Sequence, residues 1–411
     1  MTAVQRTAWM PMAAPAPFAA VRANPVVLGA LYLFVASIPF ELPHRALPLE
    51  VPTITGFLLL GAALLNPSVC FRRLPAPFLW FVAYLWVFAL ATWVSGVEQR
   101  AEVLRLFIAI AQLVLLFWVI VNLLADPRAL RGVLLALTVA CVVRAAMQLL
   151  GVGATAREVW TGGARVTALG QNANLSAIIL AAGLVTVLGL RGRAEGALPR
   201  LGLLAWPLAV LLGWAIIQTG SRGGLLCAGA GVAVFLLRGR TVAQRARNAL
   251  LAVLAIGALA WGAYRSELMR NRFEAAAREG NLAGREKIYP AAIAMAGERP
   301  LLGWGPVANQ AEIARRVDAL EVGQRDAHNL VLELLTTTGL LGTAPFLAGL
   351  LLCVTHGVRA RHGPAGVLPV AVLAAVLVGT IMGTWIASKI LWLALALAAG
   401  TPKRSAWPCA V

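Results

Sequence analysis

Carboxylates, histidines and cysteines are all scarce in this chain, and each shortage removes a class of function. The five cysteines (Cys70, Cys141, Cys227, Cys353 and Cys409) show no CxxC or CxxH spacing, and three lie within apolar runs. That argues against a disulfide framework and against a zinc site. The four histidines, His44, His328, His356 and His362, are too scattered for a His-rich metal site. Internal repeats, coiled-coil heptads and low-complexity linkers are also lacking. Charged residues make up only 13% of the 411 residues, against 60% hydrophobic, and the mean hydropathy is +0.81. No soluble domain needs that much apolar surface, so the composition describes a polytopic membrane protein. The formal net charge of +18 is spread over short loops between apolar spans, which orients a membrane protein rather than binding nucleic acid.

About twelve apolar spans follow one another. They fall near 26–42, 51–66, 76–95, 103–124, 133–151, 172–190, 201–218, 223–237, 248–264, 329–355, 365–383 and 385–400. The expected fold is all-α, with a cytoplasmic tail over 1–25, spans one to nine over 26–264, a helical outer segment over 265–327, spans ten to twelve over 328–400 and a second tail over 401–411. The first tail has no proper apolar h-region and is read as uncleaved. Alternate loops set the orientation. One set carries Arg72 and Arg73, Arg128 and Arg131, Arg191, Arg193 and Arg200, Arg238, Arg240, Arg245 and Arg247, Arg359 and Arg361, and Lys403 with Arg404. The positive-inside rule puts that set in the cytoplasm. The short loops of the other set carry little: Arg45, Arg100, Arg157, Arg165 and Arg222. The segment 265–327 belongs with them on the outside. It reads as a cap of helices: an amphipathic one at SELMRNRFEAAAREG, one from about 284 broken near Pro300, and a short one at NQAEIARRVDALEVG.

The chain is organised around Asp326-Ala327-His328-Asn329-Leu330, where the polar cap joins an apolar helix. His328 sits at that junction, and Gly339 and Gly342 in the following helix permit close packing against neighbours. Three arginines fall on the same side: Arg165 in GGARVTALGQNAN, Arg222 in TGSRGG and Arg285 in AGREKIY. An arginine in a bilayer is unfavourable by roughly 2.5–3.5 kcal/mol at the centre and less at the interface, and it persists where it meets an anion. A guanidinium fork fits phosphate bidentately, and the glycines beside Arg222 allow a tight turn. Plainer readings exist for each: a turn anchored at headgroups for Arg222, ordinary loop or surface charges for Arg165 and Arg285, helix capping for Asn172 and Asn174, and a helix start for His328. Arg315, Arg316 and Arg325 form a solvated or headgroup-facing patch, or hold an acceptor's phosphates.

Four stretches, GARVTALGQNAN, TGSRGGLL, GREKIYPAAIAMAGERPLLGWGP and HNLVLELLTTTG, occur in this order over roughly 160–345. In this the chain resembles the O-antigen ligase/polymerase superfamily, most closely the O-antigen ligases that join surface polymers to lipid A–core. Tyr289, where the family commonly has Trp, and GQNAN, where Pro-Asn is frequent, depart from its pattern in positions that touch packing more than chemistry. The resemblance implies a GT-C-like glycosyltransferase of the bacterial inner membrane with its site facing the periplasm. It also implies a donor, an undecaprenyl-diphosphate-linked polysaccharide, and an acceptor, a sugar of lipid A–core, with no cofactor and no nucleic acid. In that setting His328 is the expected general base, Arg165, Arg222 and Arg285 bind the diphosphate, and Asn329 and Ser221 support them. Asp326 or Glu333 would orient the imidazole, although Glu333 lies more than a helical turn away.

The mechanism that follows is inverting and metal-independent, since no Asp-x-Asp pair stands out on the outer side. The alternatives are an O-antigen polymerase acting on lipid-linked repeat units and a transporter of the same lipid-linked glycan. A transporter normally carries ionisable groups deep in its spans. The candidates here are Arg105, Arg144 and Lys389, none with an obvious acidic partner in the sequence.

Overall fold

A computed structural model describes residues 22–41, 50–96, 99–159, 163–191, 200–237, 239, 241–280, 282–317 and 324–401. Most of the first expected tail and all but Thr401 of the second lie outside these residues, as do His44, Arg45, Arg193, Arg238, Arg240, Lys403, Arg404 and Cys409. The elements in order are α1 (Pro25–Ser37), α2 (Val51–Ala63), the short α3 (Pro67–Cys70), α4 (Ala76–Ser95), α5 (Arg100–Leu123) and α6 (Pro127–Leu149). A hairpin of β1 (Ala154–Glu158) and β2 (Ala164–Ala168) follows. Then come α7 (Ala173–Gly189), α8 (Ala205–Gln218), α9 (Arg222–Ala233) and α10 (Val242–Arg265). The polar segment holds α11 (Glu267–Glu279), α12 (Arg285–Glu298) and α13 (Ala308–Arg316), and α14 (Leu330–Arg359), α15 (Leu368–Thr380) and α16 (Lys389–Gly400) close the chain.

The sequence sets these helix starts locally. Proline occupies the first turn of α1, α2, α4, α6 and α15, where its missing N–H is not needed. Asn24, Asp126, Asn172, Ser221, Thr241, Ser266 and Asn329 each accept a backbone N–H of the turn that they cap. Among the described residues five helices are long and apolar enough to cross a membrane: Ala76–Ser95, Arg100–Leu123, Pro127–Leu149, Val242–Arg265 and Leu330–His362. Seven shorter apolar helices occupy the other expected stretches. The protein is therefore a helical multi-pass membrane protein, but by length alone the described helices give five spans and not twelve. The fold is mostly helical, as expected, with one two-stranded hairpin among the described residues. Its strands pair antiparallel, with Arg157 opposite Arg165.

α16 and α7 are the centre of the bundle. Every residue from Lys389 to Ala398 is buried, as is every residue from Leu175 to Val187. Helices apolar all round belong inside, and these two do. Trp392 of α16 meets Phe81, Phe117 and Phe346 from three other helices in edge-to-face ring contacts. α10 is the opposite case. Only Ala252 and Ala263 are buried, and Val253, Leu254, Trp261 and Tyr264 are exposed, which suits a helix at the lipid-facing rim.

Gly339 permits close packing, as its place in an apolar helix suggested, since a Cβ there would stand 2.3 Å from the Leu301 backbone, but it does more. It is a break: with φ 60° and ψ −162° it interrupts α14 in a conformation open essentially to glycine alone. The break leaves backbone groups without helical partners, and the loop Pro300–Gly305 supplies them. Trp304 N donates to Thr336 O (2.7 Å) and Gly305 N to Thr337 O (3.0 Å), while Leu340 N donates to Pro300 O (2.7 Å) and Leu341 N to Leu301 O (3.1 Å). The run ERPLLGWGP is thus a backbone splice across the broken helix. Gly303, at φ 67°, lies so close that an added Cβ would stand 2.6 Å from Thr336 O.

Of the three ionisable groups without an obvious acidic partner in the sequence, Lys389 has two acidic partners and Arg144 is held by neutral groups. Lys389 Nζ reaches Glu41 Oε1 (2.7 Å) and Glu50 Oε2 (2.5 Å), so the apparently unpaired lysine is one of a triad. Arg144, 0% exposed, donates to Pro39 O, to Ala168 O (3.3 Å) and to Ser176 Oγ (2.9 Å). The termini of α1, α2, α6, α7 and α16 meet at that end of the bundle. At the other end Asp126 accepts from Ala23 N (3.1 Å) and pairs with Arg128 (2.8 Å).

Gly339→Ala is expected to destabilise the protein by roughly 1–3 kcal/mol from backbone strain, with a further loss as the new methyl displaces Leu301. Thermal unfolding in detergent reads this, and an unchanged midpoint would mean that the splice does not hold the helix.

Candidate functional site

Two helix starts, the middle of α11 and a hairpin bring four guanidinium groups together. Leu268, at the start of α11, is the wedge between them. It lies within van der Waals reach of Gly163 beside the hairpin, and the Gly220 turn passes so close that a Cβ there would stand 2.9 Å from its Cδ2 and 3.2 Å from Arg165 Cγ. Arg165 on β2 donates from Nε to Thr219 O (2.7 Å), the last carbonyl of the α8 turn, and from Nη2 to Asn174 Oδ1 (2.9 Å). Ser221 caps α9 through Gly224 N (3.1 Å) and donates its own hydroxyl proton to the same Asn174 oxygen (3.0 Å). Asn172 is the cap of α7, as its sequence position suggested. Asn174 is not a cap; it is the support that Arg165 and Ser221 share.

Arg222 and Arg285 complete the expected set. Arg222 Nη1 donates to Arg272 O (2.9 Å) in α11. Arg285 opens α12 and donates to Leu282 O (3.0 Å) and to Met382 O (2.7 Å), between α15 and α16. Gly223 lets Met382 press onto α9 where a Cβ would collide with its sulfur. The charges sense one another. Burial, and then the guanidiniums of Arg272, Arg157, Arg285 and Arg222, push Arg165 down to about 10. Arg272 is lowered by burial and then by Arg222 and Arg285. All remain cationic at neutral pH. The nearest carboxylate, Glu286, has its oxygens on Leu282 N (3.0 Å) and Gly284 N (3.2 Å). A concentration of positive charge walled by carbonyls is a site for an anion.

His328 lies across the same turn. Its backbone is left-handed (φ 49°), uncommon outside glycine, and the segment is held on every side. Ala327 N donates to Glu333 Oε2 (2.9 Å), and Asn309 holds the other Glu333 oxygen (2.9 Å). Glu333 therefore anchors the backbone beside the histidine, and Asp326 is the carboxylate that meets the ring. The His328 Nδ1 pairs with Asp326 Oδ1, and the hydroxyl of Thr384 donates to Oδ2. An Nδ1 facing a carboxylate carries the hydrogen, which leaves Nε2 with a lone pair. Asn329 caps α14 through Val331 N (2.9 Å) and Leu332 N (3.2 Å) and donates to Ile381 O (3.3 Å).

The turn Ile381–Thr384 is the hub. Its carbonyls take Arg285, Asn329 and Tyr289, and its threonine holds the partner of His328. Tyr289 is a position expected to touch packing more than chemistry. Its single hydroxyl proton is instead shared between Ile381 O (3.1 Å) and His328 O (3.3 Å), the two sides of the site. Neither Thr384 nor Arg272 stood out in the sequence.

The three arginines assigned to an acceptor divide. Arg316 forks onto Glu298 (2.6 and 2.7 Å) and also reaches Glu312 (2.8 Å), with its guanidinium over Trp304. Arg315 pairs with Glu312 and is exposed. Arg325 stands next to Asp326 with its backbone on Gln310 O (3.0 Å) and a buried Nε that has no hydrogen-bond partner. Among the described residues no group of three or more His, Cys, Asp or Glu side chains comes together as a metal site.

Residues 207–347 match a family described as O-Antigen ligase. The stretch includes Arg222, Arg285, His328 and the splice, and leaves Arg165 outside. The match supports the O-antigen ligase/polymerase superfamily, whose members are glycosyltransferase-like enzymes of cell-surface glycan assembly. No curated protein matches the chain.

Burial pushes the Asp326 carboxyl up, but the hydrogen bond and charge of His328, with the Thr384 hydroxyl, outweigh it and hold the carboxyl below its ordinary value. A folded-state value below the unfolded one contributes stability above about pH 4 that is lost as the pH falls through the folded-state value. Asp326→Asn is therefore expected to unfold a few degrees lower than the native protein at pH 6, with the gap narrowing as the pH is taken from 5 towards 3. A gap that does not change with pH would show that ionisation of Asp326 contributes nothing.

Proposed function

We propose that the protein is an O-antigen ligase, transferring a polysaccharide from undecaprenyl diphosphate to a sugar of lipid A–core at the periplasmic face of the bacterial inner membrane. The observation that carries this reading is the Ile381–Thr384 turn. One side of it holds an arginine of an anion pocket, and the other holds the carboxylate of an Asp–His pair, so a leaving-group site and a base share one scaffold.

The acceptor hydroxyl attacks the anomeric carbon of the donor. Its proton passes to Nε2 of His328, while Asp326 holds Nδ1–H and stabilises the imidazolium that forms. The bond between the anomeric carbon and the diphosphate oxygen breaks with its electron pair, and the diphosphate leaves with one more negative charge. Arg165, Arg222 and Arg285 meet that growing charge in a pocket already organised for it. Attack opposite to the leaving group inverts the anomeric centre. The cations are fixed guanidiniums, so the reaction as proposed uses no divalent ion. Arg325, beside Asp326 with an unused buried donor, is the best placed of the three acceptor candidates.

A transporter of the lipid-linked glycan is the second reading, and the Lys389–Glu41–Glu50 triad is what favours it, as an ionisable group among the helices. A polymerase is a third outcome of the same assay. Purified protein in detergent is given undecaprenyl-diphosphate-linked polysaccharide with and without lipid A–core. A lipid A–core band shifted only when both are present establishes the ligase. Longer lipid-linked chains without acceptor make it a polymerase, and movement across vesicles without a new bond makes it a transporter.

His328→Ala should reduce transfer by about 10²–10⁴-fold with donor binding retained, the range expected for loss of a general base. Arg222→Lys keeps the charge and loses the fork; turnover should fall by about ten-fold or more, roughly 1.4 kcal/mol of transition-state stabilisation. Transfer should also survive EDTA, and activity lost to chelation and restored by a divalent ion would contradict the metal-free route.

A further inference from the structure

We propose that Thr384 is a positioning residue for the transfer: its hydroxyl fixes the Asp326 carboxylate and, through it, the aim of the His328 ring; this rests on the reading of His328 as the general base.

Thr384 carries the one hydroxyl of the stretch IMGTWIA, between α15 and α16. A threonine at a helix end ordinarily turns its hydroxyl back onto its own chain. Thr336, Thr338, Thr343 and Thr380 do so, each donating to a carbonyl three or four positions earlier. Thr384 donates instead to Asp326 Oδ2, 58 positions earlier. An ionised carboxylate only accepts, so the hydroxyl proton lies on the threonine and points at Asp326.

Asp326 needs such a contact. The torsion that turns a carboxylate plane is broad and holds it weakly. The other hydrogen bonds that favour its charge come from the ring and the main-chain N–H of His328, two residues on. Contacts made within so short a segment move with the segment and give it no outside reference. Thr384 gives that reference, because it belongs to another element. Tyr289 and Asn329 join the same turn to the histidine segment by different means. Tyr289 shares its proton with His328 O, and Asn329 donates to Ile381 O. They place the main chain, whereas Thr384 acts on the carboxylate that meets the ring.

The turn that presents Thr384 is closed by its own bonds. Gly379 O accepts from Met382 N (3.1 Å) and from Trp385 Nε1 (3.2 Å), and Ser388 N donates to Trp385 O (3.0 Å). Gly383 leaves room for the indole, since a Cβ there would stand 2.4 Å from Trp385 Nε1. The branched threonine side chain has few rotamers of its own. A hydroxyl on a braced turn is a fixed point, and a base displaced by about 1 Å loses rate steeply.

The test measures transfer by the full chain purified in detergent, with undecaprenyl-diphosphate-linked polysaccharide and lipid A–core each varied in turn. Thr384→Val keeps the shape and removes the hydroxyl. It should lower kcat about ten-fold, with KM for both substrates within about two-fold of native. Thr384→Ser restores the hydroxyl and should stay within about three-fold of the native kcat. Added to His328→Ala, Thr384→Val should bring no further loss, because Thr384 acts through the histidine. If Thr384→Val does not elute as a folded protein, Thr384→Ala is read in the same way. A native rate in Thr384→Val, equal losses in the valine and serine variants, or the same ten-fold loss on top of His328→Ala would each overturn the role of Thr384 and leave His328 as the base. A His328→Ala protein that transfers at the native rate would remove the base reading itself, and the role of Thr384 with it.

Discussion

A helix that stops inside apolar surroundings leaves its last carbonyls without partners, and this constraint shapes the site more than any single contact. Arg165 takes a carbonyl at the end of α8. Arg285, Asn329 and Tyr289 take carbonyls just beyond α15. The groups that hold the arginines and the histidine segment in place are the ends of the helices around them. The negative end of a helix dipole also favours a cation, so the same carbonyls partly compensate the crowding of positive charge while no anion is present.

This arrangement explains how the arginines can be held together in the absence of an anion. Four guanidiniums side by side repel, and Arg157 opposite Arg165 on the hairpin adds to the strain. Carboxylates would relieve it but would also neutralise the site. Carbonyls fix the donors while leaving the charge uncancelled. Glu286, the carboxylate whose charge acts on Arg222, is turned to the backbone amides at the start of α12. His328 is built by the opposite device, since its ring meets a carboxylate, Asp326; that suits the proposed task of carrying a proton rather than holding an anion.

Much of this was legible in the sequence, and the failures have identifiable causes. The apolar runs, their proline starts and their caps gave the helices, because these signals act over a few residues. His328, Arg222 and Arg285 stood out because they sit at junctions between polar and apolar stretches. Lys389 appeared unpaired because Glu41 and Glu50 lie more than 300 positions away, and the short hairpin carries no alternation strong enough to be seen. The close packing at Gly339 was legible but the break was not, because a glycine that breaks a helix and one that only packs it look alike until the partner of the break, Pro300–Gly305, is known. Thr384 was hidden for a related reason: a threonine in a short turn has no signature of its own, and Asp326 is 58 positions earlier. Arg272 looked like one of several arginines on an amphipathic helix, since its distinction is the face that it occupies.

The splice at Gly339 bears on how the protein is made. The loop that completes α14 is encoded upstream of it, so the chain leaves the ribosome with the splint ahead of the break. When the segment 330–359 enters the bundle, the backbone groups that it will need have already been synthesised, in a polar segment that must stay close by to meet them. The cap is for this reason not a module that could be exchanged for another. Removing it would open four main-chain hydrogen bonds in the middle of the longest described helix, so change in this segment is confined to substitutions that leave Pro300–Gly305 in register.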